Sequence, residues 1–343
     1  NNGTGDFGTS ATWTATNSTD TNTVALADFD LDGDIDMLIG GGTSDYSHSG
    51  DGNELFVNNG GFNTTSDWKG TDGHNTKMAE FADLNGDGYL DLFFANFGDP
   101  LQIYLYDAGT FPTSADWEST FSNRTFDAAI GDIDSDGDLD IATYLSDTAD
   151  SGKNQIYLNK GGQITDEPIW YSNDAAWNTR SGALVDINND GKLDMITTNH
   201  NSGAKMRTYL NTVSVIDSNP VWTGTNAYET KAVSLNDVDG DGDIDRVVAE
   251  NGKLYYYEND GTGPESSTYS NSDDWNYSGT FEDIELGDVD NDGDLDLIAV
   301  KDGVNVMFKF ASGSFSTSAD WSSGDSKDSN SIALADVDND GNL

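Results

Sequence analysis

The chain has 343 residues and carries 62 acidic side chains against 15 basic ones, which gives a formal net charge of −47. Nucleic acids and anionic lipids are bound through basic patches, so this charge argues against both as partners. The chain has no cysteine and therefore no disulfide, and no apolar run approaches the length of a membrane-spanning helix. We therefore expect neither nucleic-acid binding nor direct insertion into a membrane.

An acidic motif of nine residues recurs along the chain. Its first copy runs from Asp28 to Asp36, with acids at positions 1, 3, 5 and 9 and Gly33 at position 6. Carboxylates on alternate residues of a tight curve can all turn inward onto a hard cation such as Ca²⁺, which takes six to eight oxygen ligands. Glycine permits the turn because it adopts backbone angles that are closed to other residues. The motif therefore predicts a calcium-binding loop.

Six further copies begin 55, 49, 54, 51, 51 and 48 residues after one another. A nearly fixed period of this length is typical of a propeller or an array. Position 7 varies widely, so we expect it to offer its backbone carbonyl. The predicted metal-binding positions are Asp28, Asp30, Asp32, Asp34 and Asp36; Asp83, Asn85, Asp87, Tyr89 and Asp91; Asp132, Asp134, Asp136, Asp138 and Asp140; Asp186, Asn188, Asp190, Lys192 and Asp194; Asp237, Asp239, Asp241, Asp243 and Asp245; Asp288, Asp290, Asp292, Asp294 and Asp296; and Asp336, Asp338 and Asp340.

Two other interpretations of this motif are less consistent with the sequence. An EF-hand needs a bidentate Glu at position 12 and flanking helices. Position 12 is never acidic here, and the flanking segments are β-rich: the residues are Ile39, Phe94, Thr143, Thr197, Val248 and Ala299. A merely solvated turn would not require the 1-3-5-9 spacing in seven places. We expect Ca²⁺ at six to seven sites.

The segments around each loop predict four strands, which we name A to D. Strand A precedes the loop and alternates a large apolar residue, such as Leu26 or Phe81, with a smaller one. Strand B follows the loop and is apolar on both faces, as in Leu92-Phe93-Phe94, which predicts burial on both faces. Strand C carries an aromatic residue in register: Phe56, Tyr104, Tyr157, Tyr209, Tyr257 and Phe308.

Strand D follows a turn rich in Asn and Gly and carries one tryptophan per repeat. These residues are Trp13, Trp68, Trp117, Trp170, Trp222, Trp275 and Trp321. A row of tryptophans can form a platform on which sugars stack, but one large aromatic per repeat is also what packing between blades requires. The sequence favours packing.

Four strands in each of seven repeats, with no helical pattern, predict an all-β fold: a seven-bladed β-propeller of four-stranded antiparallel blades with calcium in the A–B loops. We expect a single domain over residues 1–343. Blade seven would be split between residues 1–16, which supply its strand D, and residues 331–343, which supply its strand A and part of its loop. Strands B and C of that blade are missing, so we expect the sequence to be part of a longer chain.

The repeated D-x-[DN]-x-D-G-x-x-D motif after a short apolar strand resembles the FG-GAP/VCBS repeat family, which includes the integrin α-subunit propellers. The resemblance extends over essentially the whole chain. The Phe-Gly and Gly-Ala-Pro signatures are not evident, which points to the microbial branch. The resemblance implies Ca²⁺ at the acidic loop positions and an extracellular or cell-surface location.

No catalytic motif stands out. The three histidines, His48, His74 and His200, lie at non-equivalent positions of different repeats and have no zinc spacing, so we interpret them as solvated loop residues. A carboxylate pair for glycoside hydrolysis remains open because acids are so numerous. We expect no enzyme. A surface recognition or adhesion module is one hypothesis, and a structural subunit of an extracellular filament or surface layer is the alternative.

Chain reversal at each turn predicts which loops share a face. The C–D turns should lie with the calcium loops, and the B–C and D–A loops should lie on the opposite face. Irregular loops on a rigid scaffold are where recognition tends to occur. We therefore expect a protein, a glycan or a neighbouring subunit to contact the B–C/D–A face around blades one to three, near Tyr46, His48, Asp147 and Asp150.

Overall fold

A computed structural model describes residues 13–16, 20–42, 52–107, 109–146, 152–173, 178–199, 205–212, 215–224, 229–259, 274–301, 303–324 and 328–343. In these ranges the chain forms strands, turns and bends. None of the described residues belongs to a helix long and apolar enough to cross a membrane. The chain divides into two compact units. The N-terminal unit contains Trp13–Ala176 and Ala335–Asp340, and the C-terminal unit contains Trp177–Leu334 and Gly341–Leu343.

The N-terminal unit contains three four-stranded antiparallel sheets, each a blade with its strands in A–B–C–D order. Blade one consists of β1 (Thr21–Ala27), β2 (Asp36–Gly41), β3 (Glu54–Phe56) and β4 (Trp68–Lys69). Blade two consists of β5 (Thr76–Ala82), β6 (Asp91–Asn96), β7 (Gln102–Tyr104) and β8 (Trp117–Glu118). Blade three consists of β9 (Thr125–Gly131), β10 (Asp140–Leu145), β11 (Gln155–Tyr157) and β12 (Trp170–Tyr171).

The C-terminal unit contains three more blades of the same kind. Blade four consists of β13 (Thr179–Val185), β14 (Asp194–Asn199), β15 (Arg207–Tyr209) and β16 (Trp222–Thr223). Blade five consists of β17 (Thr230–Asn236), β18 (Asp245–Glu250), β19 (Lys253–Tyr257) and β20 (Trp275–Ser278). Blade six consists of β21 (Asp283–Gly287), β22 (Asp296–Val300), β23 (Val306–Phe308) and β26 (Trp321–Ser322), and a small hairpin of β24 (Phe310–Ala311) and β25 (Ser314–Phe315) lies between the last two.

The apolar pattern of each strand matches its position in the blade. Strand B is buried along its whole length in blades two to six, as predicted from its continuous apolar character. The aromatic residues predicted on strand C are buried in all six blades. In the N-terminal unit β5 packs against β1 and β2, and β9 packs against β5 and β6, so each blade buries its neighbour's apolar face.

The tryptophans pack between consecutive blades. Trp68 of blade one lies 5.2 Å from Tyr104 of blade two, edge to face, and stacks on Phe94 with 6.4 Å between ring centroids. Its indole N–H donates to the carbonyl of Pro112 at 2.8 Å. Trp275 of blade five has the same relation to Phe308 of blade six, at 5.2 Å. The packing interpretation of the tryptophan row is therefore the one that these contacts support.

The prediction of seven blades is wrong, because the described residues form six four-stranded sheets. Residues 328–343 and 13–16 contain no strand. In each of the six blades strand A takes its hydrogen bonds from the strand B that follows the loop, as β5 does from β6. The segment that corresponds to strand A of the seventh repeat, residues 328–335, has no strand B paired with it among the described residues.

Residues of the seventh repeat nevertheless contact blade one as their places in the repeat predict. Trp13 lies 5.3 Å from Phe56, edge to face, which reproduces the packing of Trp68 on Tyr104. The Thr16 N–H donates to the Thr64 carbonyl at 2.9 Å. The described residues of this repeat therefore pack its tryptophan against blade one without forming a sheet.

Candidate metal centres

The backbone of the seven loops turns through two left-handed residues. Position 6 is Gly in every loop and has a positive φ in each, such as 96° at Gly33. Position 4 is left-handed as well, and this was not predicted: the residues are Leu31, Gly86, Ser135, Asn189, Gly240, Asn291 and Asn339. Five of these seven are Gly or Asn, the residues that tolerate this conformation best, so the sequence did carry a signal for it.

The two left-handed turns fold the acidic side chains back onto the loop's own backbone. In loop one, the carboxylate of Asp28 accepts hydrogen bonds from the N–H groups of Asp32 (3.1 Å) and Gly33 (3.0 Å). The carboxylate of Asp32 accepts one from Asp34 N–H at 2.9 Å. The bond from the position 6 N–H to the position 1 carboxylate recurs in loops two to six. The loops are thus held in a curved shape by bonds that leave other oxygen lone pairs available.

The carboxylates at positions 1, 3 and 5 converge. Their ligand oxygens lie within 4.8 Å of one another in loops one, three and five: Asp28, Asp30 and Asp32; Asp132, Asp134 and Asp136; Asp237, Asp239 and Asp241. In loop six the corresponding group contains Asp288, Asp290 and Asp296, from positions 1, 3 and 9. Two buried oxygens in these groups, Oδ1 of Asp134 and Oδ1 of Asp237, have no hydrogen-bond donor. Hard, convergent and partly unpaired oxygens fit Ca²⁺.

Position 9 has a further role that the sequence did not reveal. It is the first residue of strand B in all six blades and is fully buried. One of its oxygens accepts the N–H of position 2, and the other accepts an N–H just after strand C. For Asp140 these donors are Ile133 (2.9 Å) and Asn159 (2.8 Å). Oδ2 of Asp140 also accepts the Asp134 N–H at 3.4 Å. The carboxylate therefore connects the loop to the C–D turn, and its Oδ1, with the single donor Asn159, is the oxygen more available to a metal ion.

Burial raises the pKa of all six position 9 carboxyls to about 6, although their backbone donors act in the opposite direction: Asp36, Asp91, Asp140, Asp194, Asp245 and Asp296. Burial also raises the pKa of Asp30, Asp134 and Asp239 at position 3, and neighbouring carboxylates add to this effect. Both causes disfavour a negative charge on these side chains, and a bound cation would remove that penalty.

The side chains at position 7 contact the C–D turns or a neighbouring residue of the same loop. The carboxylates of Asp34 and Asp138 accept N–H groups of the C–D turns, from Gly60 at 2.9 Å and Gly161 at 2.6 Å. The Lys192 ammonium lies 3.3 Å from Asp190 Oδ2, at position 5 of loop four. Loop four thus carries an internal positive charge next to its predicted ligands.

A second lysine contacts loop six. The ammonium of Lys309 lies 2.9 Å from Oδ2 of Asp290, at position 3. This hydrogen bond lowers the pKa of Asp290, in contrast to the raised pKa of Asp30, Asp134 and Asp239 at the same position of other loops. Lys309 follows strand C, far from the motif in sequence, so the spacing of the acids could not reveal it.

Asparagine side chains link consecutive loops. The amide of Asn189, at position 4 of loop four, donates to the Gly242 carbonyl of loop five at 3.3 Å. Asn339 of loop seven donates in the same way to the Gly33 carbonyl of loop one, at 2.6 Å, and to Asp34 Oδ1 at 3.1 Å. Loop seven therefore stands in the same relation to loop one as loop four does to loop five.

The contacts show that the C–D turns lie on the same face as the acidic A–B loops, since they donate to position 7 and position 9 side chains. The D–A segments lie beside the B–C loops instead, and the Gly98 N–H donates to the Asn123 carbonyl at 2.8 Å. Four residues proposed for a partner surface, Tyr46, His48, Asp147 and Asp150, lie outside the described residues.

The fold is that of a β-propeller built from four-stranded blades with an acidic loop between strands A and B of each. The family of FG-GAP-like repeats matches residues 83–143, 146–197, 237–299 and 288–343, which together make up more than half of the chain. The chain therefore belongs to the FG-GAP-like repeat family. No curated protein matches its sequence.

Two crystal structures of BBS1N in complex with ARL6DN are similar in fold. The one soaked with mercury has a TM-score of 0.53 and 13% identity, and the match covers 86% of this chain and 79% of that one. The one soaked with lead has a TM-score of 0.51 and 14% identity, and the match covers 88% and 82%. At these identities the likeness concerns the fold alone.

Leu31 is the position 4 residue least suited to its conformation, because it is a left-handed leucine that is 64% exposed. We expect Leu31→Asn to raise the free energy of unfolding by about 1 kcal/mol, since asparagine tolerates positive φ and little burial is lost. Urea unfolding in calcium-free buffer measures the change. The control is Gly86→Ala, where the added Cβ meets nothing within 4 Å. It should destabilise by a similar amount, and equal stabilities of all three proteins would contradict the strain argument.

Positions 5 and 9 should respond differently to removal of the acid in a metal-free protein. Asp140→Ala leaves two buried backbone N–H groups unpaired, so we expect a loss of about 2 kcal/mol in urea unfolding with chelator present. Asp136→Ala removes an exposed carboxylate from a repelling group and should leave stability unchanged or raise it slightly. If Asp136→Ala costs as much as Asp140→Ala in chelator, the anchoring role of position 9 is wrong.

Proposed function

We propose that the A–B loops bind Ca²⁺ and that the bound ions stabilise the blades. The convergence of three carboxylates within 4.8 Å, repeated in four described loops, carries this proposal. The side chains at positions 1, 3, 5 and 9 would hold the ion, together with the position 7 carbonyl. The donors are oxygens alone, which suits Ca²⁺ rather than a softer metal. Each ion would offset the repulsion among the carboxylates of its loop.

Removal of calcium tests the proposal, and pH provides its internal control. A chelator should lower the melting temperature at pH 7 substantially and increase proteolysis between blades. In chelator, the raised pKa values of about 6 at position 9 mean that the folded state holds protons that the unfolded state releases. Stability in chelator should therefore rise as pH falls from 7 to 5.

With saturating Ca²⁺ the trend should be the reverse over the same range, because protons compete with the metal for the carboxylates. Circular dichroism melts under the four conditions are sufficient. A melting temperature that does not respond to chelator at pH 7 would rule out a stabilising role for Ca²⁺ in this fold.

The loops should differ in affinity. Loops two and four have Asn85 and Asn188 in place of an acid and should bind more weakly, and loop seven lacks a ninth residue in the sequence given. Loop six should also bind weakly although it has four acids, because the ammonium of Lys309 already pairs with Asp290. We expect Lys309→Met to tighten binding at loop six several-fold.

The amide signal of Gly293, whose N–H donates to Asp288, reports on loop six alone in NMR spectra recorded during a Ca²⁺ titration. The matched control is Lys301→Met, a lysine of the same blade that packs on Phe281 rather than on an acid of the loop. An unchanged Gly293 midpoint in Lys309→Met would show that the lysine does not compete with the metal.

We further propose that the protein is an extracellular recognition or adhesion module, with no catalytic role in this chain. Two observations support this idea: one face is occupied by the candidate metal loops, and the B–C loops of the opposite face differ in length from blade to blade. The similar structure of BBS1N is a complex with a protein, ARL6DN, which makes a protein partner plausible here. The alternative is a structural subunit of a filament or surface layer.

Self-association separates these two functions. Sedimentation velocity in Ca²⁺ at rising protein concentration should show a monomer if the chain is a recognition module, and assemblies if it is a structural subunit. Phe121, a 39% exposed residue after strand D of blade two, marks the B–C/D–A face, and Ile169, 51% exposed before strand D of blade three, marks the opposite one. We expect Phe121→Ser, and not Ile169→Ser, to weaken any association or ligand binding. The reverse result would move the partner surface to the calcium face.

A further inference from the structure

A second kind of metal-ligating cluster lies in blade two, away from the A–B loops. Asp72 and His74 belong to the segment between β4 and β5, and Glu118 ends β8. One ligand atom from each of the three lies within 4.8 Å of the other two. All three come from the D–A side of the blade, so the cluster is on the face opposite the calcium loops.

Buried donors hold the two carboxylates of this cluster in place. The amide nitrogen of Gln102, which is fully buried, donates to Asp72 Oδ2 at 3.0 Å and to Glu118 Oε1 at 2.9 Å. The hydroxyl of Tyr104 donates to the same Asp72 oxygen at 2.9 Å. The Gln102 carbonyl accepts from Asn96 at 3.3 Å, which fixes the direction of its amide. Burial raises the pKa of Tyr104, so its phenol remains a donor.

The imidazole of His74 lies beside another carboxylate. Its Nδ1 lies 3.2 Å from Asp99 Oδ2, in the B–C loop of the same blade, and the side chain is only 24% exposed. The expectation that His74 is a solvated loop residue therefore does not hold. Histidines that bind metal through one ring nitrogen commonly contact a carboxylate through the other, which fixes the ring. Asp99 would be such a positioning residue.

The two carboxylates of this cluster have no lysine or arginine partner among the described residues. In blade one the residue paired with Glu54 in the same register is Lys69, whose ammonium lies 2.7 Å from Glu54. Blade two places Glu118 where blade one has this lysine. Among the described residues, no lysine or arginine lies within 4.0 Å of Asp72 or Glu118. The donors to these two carboxylates, Gln102 and Tyr104, are both neutral, and a bound cation would balance the negative charge.

The cluster is also specific to one repeat. The residues equivalent to Asp72, His74 and Glu118 in the next blade are Phe121, Asn123 and Tyr171, none of which is charged. Residues needed for the blade itself recur in every repeat, as strand C aromatics and position 9 aspartates do. Ligand-type residues that converge in one repeat alone are therefore not explained by folding.

We propose that Asp72, His74 and Glu118 bind a divalent transition-metal ion, for which Zn²⁺ is the suitable probe. An imidazole nitrogen with two carboxylates is a ligand set of Zn²⁺ and its neighbours, whereas Ca²⁺ selects oxygen alone. Water or a group from a partner would complete the coordination. The site is independent of the proposed calcium loops in both residues and ligand chemistry.

Zinc titration in millimolar Ca²⁺ tests the site, because the calcium fills the acidic loops and leaves the imidazole cluster open. Isothermal titration calorimetry should show one more bound Zn²⁺ in the wild type than in His74→Ala. The matched control His200→Ala, which removes a histidine outside the cluster, should bind like the wild type. Glu118→Gln should weaken binding at least tenfold. Melting curves in Ca²⁺ establish that each variant is folded.

A direct readout does not depend on comparing variants. The ring nitrogen signals of His74 should shift on addition of one equivalent of Zn²⁺ and remain shifted in excess Ca²⁺. The proposal is overturned if wild type binds no Zn²⁺, if His74→Ala binds as many ions as wild type, or if His200→Ala is the variant that loses the site. Displacement of the Zn²⁺ by Ca²⁺ would overturn the assignment to a transition metal.

Discussion

Repulsion among carboxylates held on a tight turn is the constraint on which the rest of this structure depends. Two left-handed residues in each loop bring the side chains at positions 1, 3 and 5 together, three of them acids in loops one, three and five, and in the six blades a further acid lies buried at the start of strand B. Each loop joins the first two strands of a blade, so the strands cannot pair in register unless the loop closes. In a chain with a net charge of −47, this closure concentrates negative charge where burial already disfavours it. A bound cation would therefore act on the fold itself.

The position 9 aspartates show how the loop and the blade depend on one another. Each accepts one N–H from the loop and one from the chain after strand C, so a single buried side chain connects three segments of the blade. The sequence could predict an acid at this position and could not predict this role, because the second donor lies 14 to 22 residues further along the chain. An acid chosen for metal binding alone would not need to be fully buried.

Much of the fold was predictable because the same sequence patterns recur in each repeat. Strand order, the buried strand B and the packing of the tryptophans follow from patterns that recur in every blade. The blade count was not predictable in the same way. A strand forms only with a partner strand, and residues 328–335, which have the sequence of a strand A, lie outside any sheet among the described residues. The contacts of Lys309 and Lys192 with loop acids could not be predicted either. The spacing of the acids shows which residues can converge, but it does not show which other side chains contact them.

Departures from the repeat are informative because each position can be compared with the equivalent position in the other blades. The exchange of a balancing lysine in blade one for Glu118 in blade two would be a small change in a non-repetitive protein. Here the neighbouring blade shows what the position holds when it serves packing and charge balance alone. Four ligand-type side chains, Asp72, His74, Asp99 and Glu118, meet only where that balance is absent, on the face that the candidate calcium loops do not occupy. The repeated loops would thus hold the scaffold rigid on one face. That rigidity would allow the opposite face to carry residues that the blade structure itself does not need.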